Sequence, residues 1–270
     1  MLEQRLITAL VLGILAVGGI LLLPLTWFGI VLIGIVLLGA WEWGRLLALS
    51  WPAGRIGYCL LALVIMVLAW RWVDSQAFLG SVFIFACGYW CVVLIWLGRY
   101  LARPERRASL CGWGLAGLVT LTAPWVALMG MRAAPDFGSR YVLFLVMLIW
   151  VADSGAYFAG RFWGRRKLAP VISPGKTWAG VYGALGGSLL FALGGGLALG
   201  VTRWPWFVAV CMVTVVFAIV GDLFESMLKR QHGAKDSGSL LPGHGGILDR
   251  LDSLTAAAPV FAAGLWGLSP

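Results

Sequence analysis

The chain of 270 residues is 61% hydrophobic and only 11% charged, with a mean hydropathy of +0.94 and 16 tryptophans. That composition excludes an ordinary water-soluble domain and points to many membrane–water boundaries, where indole rings settle. The net charge of +9 admits nucleic acid, anionic lipid or an anionic substrate as partner, and the location of the charges has to decide.

Apolar runs of spanning or near-spanning length fall at residues 6–23, 27–49, 56–72, 78–97, 112–131, 141–160, 178–200, 204–228 and 253–268. They predict an all-α, polytopic membrane protein with about nine transmembrane helices. The first run is long for a signal peptide and no small-residue cleavage site follows, so it reads as an uncleaved span. The five cysteines lie mostly inside apolar runs without a C-x-x-C pair and read as small buried hydrophobes. If the N-terminus is cytoplasmic, sixteen Lys and Arg residues fall in loops on that side and four, Arg71, Arg132, Arg140 and Arg203, on the other. This asymmetry puts the N-terminus inside and the C-terminus outside.

Residues 1–140 read as a scaffold of transmembrane helices that carries lipid and dimer contacts. Glu42, in Trp41-Glu42-Trp43, is expected to pair with Arg45 at a helix end. The arginines from Arg99 to Arg107 read as a topology signal.

Residues 141–270 read as the catalytic part, with cytoplasmic active-site loops. Asp153 lies inside the sixth span and is a functional candidate by its position, set against a structural pair with an arginine one turn away. After it come Arg161, Arg165, Arg166 and Lys167, then Ser173-Pro174-Gly175-Lys176-Thr177-Trp178. Gly175-Lys176-Thr177 is not a Walker loop, because Pro170 stands where that pattern needs glycine and no soluble strand precedes it. What remains is a basic loop before a helix N-terminus, where Ser173, Lys176 and free N–H groups can hold phosphate. The many glycines of the seventh span suit close helix packing.

The charges concentrate from Gly221 to Asp252, where both histidines also lie. Asp222, Glu225, Ser226 and Lys229 share one helix face, and Asp249 and Asp252 open the last helix. Oxygen-only ligands favour Mg²⁺ over zinc, and carboxylates among cations suit phosphoryl or nucleotidyl transfer. The glycines around His244 let a ligand approach the backbone.

The run Ser226-x-x-Lys229-Arg230-x-x-x-x-Lys235-Asp236-x-Gly238-x-x-Leu241-Pro242-x-His244-Gly245-Gly246-Ile247-x-Asp249-Arg250-x-Asp252 resembles the signature of the phosphatidate cytidylyltransferases. The runs at Asp153–Tyr157, Ser173–Trp178 and Trp41–Trp43 are also similar to that family, so the likeness covers essentially the whole chain. The resemblance implies an inner-membrane homodimer that makes CDP-diacylglycerol from CTP and phosphatidic acid, with no nucleic acid among its partners. It implies Mg²⁺ on Asp222 and Asp249, with K⁺ as a candidate second ion. Lys229 and Arg230 are then expected at the reacting phosphates, with Ser226, Lys235, Gly245, Gly246, Arg250 and Asp153 among the substrate-binding groups. His244 is expected to bind phosphate or shape the loop, since an anionic phosphate nucleophile needs no base. The competing readings are a CTP-dependent polyprenol- or phytol-type lipid kinase and a transporter with Asp153 and Asp222 as coupling groups.

Overall fold

The computed structural model describes residues 2–49, 51–104, 109–135, 138–238, 240 and 245–266, with the side chains of residues 2–7 and 9 excepted. Nine helices make up most of the described chain: α1 (Leu2–Leu22), α2 (Leu25–Leu46), α3 (Pro52–Trp70), α4 (Gln76–Ala102), α5 (Leu110–Ala133), α6 (Gly138–Trp163), α7 (Trp178–Ala198), α8 (Trp204–Gln231) and α9 (Leu248–Trp266). Each corresponds to one of the nine apolar runs. The starts follow local chemistry. Pro52 opens α3, where its missing N–H costs nothing. Ser75, Ser109 and Thr177 cap α4, α5 and α7 by accepting from Phe78 N–H at 3.4 Å, Gly112 N–H at 3.1 Å and Gly180 N–H at 3.2 Å.

Seven helices, α2 to α8, are long and apolar enough to cross a membrane. The apolar part of α1, Leu10–Leu22, is shorter, and α9 is less apolar than the rest. The reason for α9 lies in its position. It packs on α8, α5, α4, α6 and α2, and its Ala256, Ala257 and Ala258 are fully buried. A helix surrounded by protein can be built from small residues, because it has no lipid face to satisfy. By contrast α3 and α4 turn Leu60, Leu61, Val64, Ile84, Phe85 and Val92 outward, as a bilayer solvent requires. This is a multi-pass membrane protein. One cluster of buried apolar residues runs from Ile20 to Leu265 through both halves of the sequence.

Between α6 and α7 the chain forms an antiparallel hairpin, β1 (Lys167–Ala169) and β2 (Ser173–Thr177), where the sequence reads only as a basic loop. Lys167 pairs with Thr177 and Ala169 with Ser173. With Pro170, Pro174 and Gly175 among eleven residues, periodicity gives no strand signal here. The pairing is nonetheless useful, because β2 runs straight into α7 and thereby aims Lys176 at a fixed place.

Candidate active site

α6 and α7 cross at Gly155 and Gly183, where a Cβ on Gly155 would stand 2.5 Å from the Gly183 carbonyl oxygen. Only glycine allows that approach, as the packing reading of the seventh span expects. On the other side, α8 meets α9 at Gly221, whose added Cβ would stand 2.5 Å from the Asp252 carbonyl oxygen. These two close crossings leave a cavity of about 410 Å³ between α6, the hairpin, α7, α8 and α9. Its polar lining is Asp153, Tyr157, Arg161, Lys176, Thr177, Asp222 and Ser253, and its walls include the small residues Ala152, Ala156, Gly160, Ala184 and Ala218.

Asp222 and Lys176 form an ion pair across this cavity. The charges of Asp153, Asp222, Asp252 and Lys176 all act on one another, and Arg250 acts on Asp153. Arg161 donates to the Tyr157 hydroxyl at 2.8 Å. Asp153 precedes the end of α6 by ten residues and Asp222 precedes the end of α8 by nine. At 1.5 Å per residue both carboxylates lie about 14–15 Å along their helices from the hairpin-side ends. The site is therefore sunk below the ends of its helices and walled by protein.

A second polar group adjoins it. Lys229 Nζ lies 2.6 Å from Asp249 Oδ1 and 3.0 Å from Glu225 Oε1. The Asp249 carboxylate also accepts from Gly246 N–H at 2.8 Å and Ser237 N–H at 3.1 Å. Burial alone would push the Asp249 acid up, but Lys229 and the Gly246 N–H overcome it and hold this carboxyl at about 2. Gly245, at φ +79°, has a conformation that glycine adopts freely, and a Cβ there would meet Asp249 Oδ2 at 2.7 Å.

The remaining candidates separate. Ser226 Oγ stands 3.5 Å from Asp222 Oδ1, at the outer limit of a hydrogen bond. Arg230 uses its guanidinium on backbone carbonyls, at 3.1 Å from Ile172 and 3.4 Å from Ala234, and so fastens the hairpin turn to the end of α8. Ser173 is held in β2 opposite Ala169. Lys235, Asp236 and Arg250 are exposed. His244 lies outside the described residues, as do Leu241, Pro242 and Gly243.

One expectation is overturned. Glu42 makes no ion pair with Arg45, which is exposed. Glu42 is instead 2% exposed and accepts from the N–H groups of Ile247 at 3.1 Å and Leu248 at 2.9 Å, and from Ser237 Oγ at 2.9 Å. Unpaired N–H groups at a helix start attract a carboxylate as strongly as a surface arginine does, and they lie where water is excluded. The partners are about 200 residues away in sequence, so no local spacing announces them. Asp252, which reasoning from spacing left without a role, belongs to the cavity group.

The donors at the cavity are carboxylate oxygens, which suit Mg²⁺. Asp222 fits that task, since among the described residues its one ion-pair partner is the half-buried Lys176 of β2 and its carboxylate lines the cavity. Asp249 has its oxygens engaged by Lys229 and two backbone N–H groups. Among the described residues no three His, Cys, Asp or Glu side chains converge as a ready-made cage. Mg²⁺ is commonly held by one or two carboxylates with water and substrate phosphates completing its shell, so a sparse protein set is compatible with it.

The sequence pattern of the cytidylyltransferase family matches residues 3–267. The chain belongs to that family. Among curated relatives, a phosphatidate cytidylyltransferase of Pseudomonas aeruginosa is 43% identical, over 98% of this chain and 97% of its own length. One from Haemophilus influenzae is 34% identical over 97% and 98%, and one from Brucella suis 38% over 95% and 90%. Within the cytidylyltransferase family, then, the chain is similar to these enzymes from end to end. The match includes α1 to α5 and not merely the charged C-terminal stretch.

Proposed function

We propose that this chain transfers CMP from CTP to phosphatidic acid, giving CDP-diacylglycerol and pyrophosphate. The observation that carries the proposal is a cavity with cations and carboxylates sunk among membrane helices, in a chain similar along its whole length to phosphatidate cytidylyltransferases. Nothing in the cavity favours a lipid kinase or a transporter.

In the reaction, an oxygen of the phosphatidate monoester attacks the α-phosphorus of CTP. The new P–O bond forms as the bond from the α-phosphorus to its bridging oxygen breaks, and pyrophosphate leaves with the electron pair. Lys176 and Arg161 line the cavity, and Arg250 is close enough for its charge to reach Asp153. These three cations offset the charge of two anionic substrates that would otherwise repel each other. Lys176 sits against Asp222 at the cavity wall, where an arriving phosphate can share its charge. Lys229 neutralises Glu225 and Asp249, which keeps the start of α9 against α8. Arg230 acts through the hairpin, by holding the strand that bears Lys176. Asp222 and Asp249, with Asp153 and Asp252 nearby, would hold Mg²⁺, which when bound would supply polarisation of the α-phosphoryl and screening of the triphosphate. A K⁺ would share the same carboxylates.

We read α1 to α5 as scaffold and the segments from α6 onward as the catalytic part, because the cavity lining runs from Ala152 to Ser253. We read the protein as a homodimer of the bacterial inner membrane, with the N-terminus and the site cytoplasmic. The sixteen-to-four charge split supports that orientation. Reporters fused in the 232–240 loop and after Pro270 should lie inside and outside, respectively; the swapped result reverses the orientation, and both on one side sinks the nine-span scheme. For the activity, purified protein is incubated with phosphatidic acid, Mg²⁺ and CTP labelled on the α- or the γ-phosphorus. Label from the α-position should reach lipid. Transfer from the γ-position, or none from either, refutes the proposal.

A further inference from the structure

Glu42 belongs to α2, in the half of the chain that contributes nothing to the cavity lining. It is nevertheless the acceptor on which the start of α9 closes. Its Oε1 takes the Ile247 N–H and its Oε2 takes the Leu248 N–H and the Ser237 hydroxyl. Ser237 is itself fully buried. Its backbone N–H goes to Asp249, and so does the N–H of Gly246. Two carboxylates, Glu42 and Asp249, thus grip the same two strips of chain, around Ser237 and Gly246–Leu248, from different sides. Gly238 and Gly246 have no room for a Cβ, because the Glu42 carboxyl fills that space at Gly238 and the Ser237 hydroxyl and Glu42 carboxyl fill it together at Gly246.

The grip is stiff at its far end as well. Trp43, next to Glu42, is fully buried, donates from Nε1 to the Trp113 carbonyl at 3.1 Å and packs on Trp113 and Phe224. Phe224 immediately precedes Glu225 on α8. The backbone around Glu42 is therefore fixed against both α5 and α8, and the carboxylate cannot follow a wandering loop. A buried carboxylate with no cation paired to it among the described residues needs N–H donors, and the first turn of α9 supplies them.

From this juxtaposition we infer that Glu42 is a positioning residue for CMP transfer: it caps α9 from another helix and so sets where Asp249 and Asp252 stand relative to Asp222 and Lys229. Ordinary helix caps come from the preceding residue, and no such residue is needed when a rigid neighbour supplies the acceptor. The consequence is a direct link between the scaffold half and the cavity. A displacement of α2 reaches the catalytic carboxylates through one side chain.

The kinetic arm of the test rests on the proposed transfer reaction, and the exchange arm does not. Full-length wild type, Glu42→Gln and Glu42→Ala are compared in lipid nanodiscs. Hydrogen–deuterium exchange is followed in peptides covering 245–252 and, as a control, 116–131 of α5. Kinetics of CMP transfer are measured on the same preparations. Exchange over 245–252 should speed up about tenfold or more in Glu42→Ala, and less in Glu42→Gln, which keeps one acceptor oxygen. The α5 peptide should not change. The kcat should fall about tenfold to a hundredfold in the same order, while KM for CTP moves less than about threefold. Unchanged exchange over 245–252 overturns the clamp. Faster exchange with wild-type kcat overturns the positioning role, and a uniform rise in both peptides makes Glu42 a general fold stabiliser instead. If wild type itself transfers no CMP to lipid, the functional reading fails while the exchange result still decides the clamp.

Discussion

Lys229 offers the sharpest energetic test of the site, because it stands between two carboxylates that both need it. Its side chain is 12% exposed, that of Glu225 3% and that of Asp249 11%. At contacts of 3.0 and 2.6 Å in so little water, removing the cation leaves two like charges facing each other with reduced solvation. Asp249 keeps the N–H groups of Gly246 and Ser237, whereas Glu225 has no backbone N–H on its carboxyl among the described residues and is left facing Asp249 itself. Most of the penalty therefore falls on Glu225. Breaking a buried ion pair from one side costs about 3 to 5 kcal/mol. For a chain of this size 1 kcal/mol corresponds to about 2–4 °C in unfolding temperature. Lys229→Met, which keeps the length of the stem, should thus lower the unfolding temperature by about 6–20 °C, by the same conversion. Adding Glu225→Gln removes the stranded charge and should recover at least about half of that loss, since deleting both members of a buried pair costs far less than deleting one. The assay is thermal unfolding of detergent-solubilised protein, read by intrinsic tryptophan fluorescence. If Lys229→Met unfolds within about 2 °C of wild type, or if Glu225→Gln makes the double variant worse, the ion-pair reasoning is wrong.

Asp222→Asn should abolish nearly all Mg²⁺-dependent CMP transfer while the protein still inserts and unfolds at about its normal temperature, whereas Asp236→Asn, exposed on the loop, should retain most activity. Near wild-type turnover of Asp222→Asn at limiting Mg²⁺ would remove it from the metal site. Lys176→Ala should weaken binding of the phosphate it faces by about 1.5–3 kcal/mol, seen as raised KM for CTP or phosphatidate; unchanged kinetics would return Lys176 to a purely structural partner of Asp222. Gly183→Val should prise α7 from α6, because its Cβ would strike Gly155 and Ala159, and should cost about 1–3 kcal/mol or more in thermal stability along with loss of the cavity. Gly186→Val on the same helix has open space and serves as its control, so equal losses would refute the crossing as the cause.

How far the molecule could be read in advance depended on the range of the interaction that built each part. The nine helices were legible because a lipid solvent imposes long apolar runs, and those runs need only local composition to be seen. Asp222, Asp249 and Lys229 were legible as a charged group for the same reason, since their presence in or beside apolar helices has no cheaper explanation than function or pairing. What stayed hidden was pairing across the chain. Glu42 and Arg45 have a spacing that suits an ion pair, and three N–H and O–H donors from residues 237 to 248 outcompete it only after folding has brought α2 beside α9. Arg230 stands in a run rich in phosphate-binding residue types, yet its donors go to the Ile172 and Ala234 carbonyls, because the hairpin turn and the chain just after α8 present acceptors within its reach. In both cases the charge sits where the sequence suggested, while the partners are mainly backbone groups. Backbone N–H and C=O groups are the same at every residue and leave no mark in a sequence, so a charge satisfied by them is indistinguishable in advance from one waiting for a substrate. Lys176 and Asp222 differ from these, because each meets another side chain in the cavity and has room beside it for a ligand.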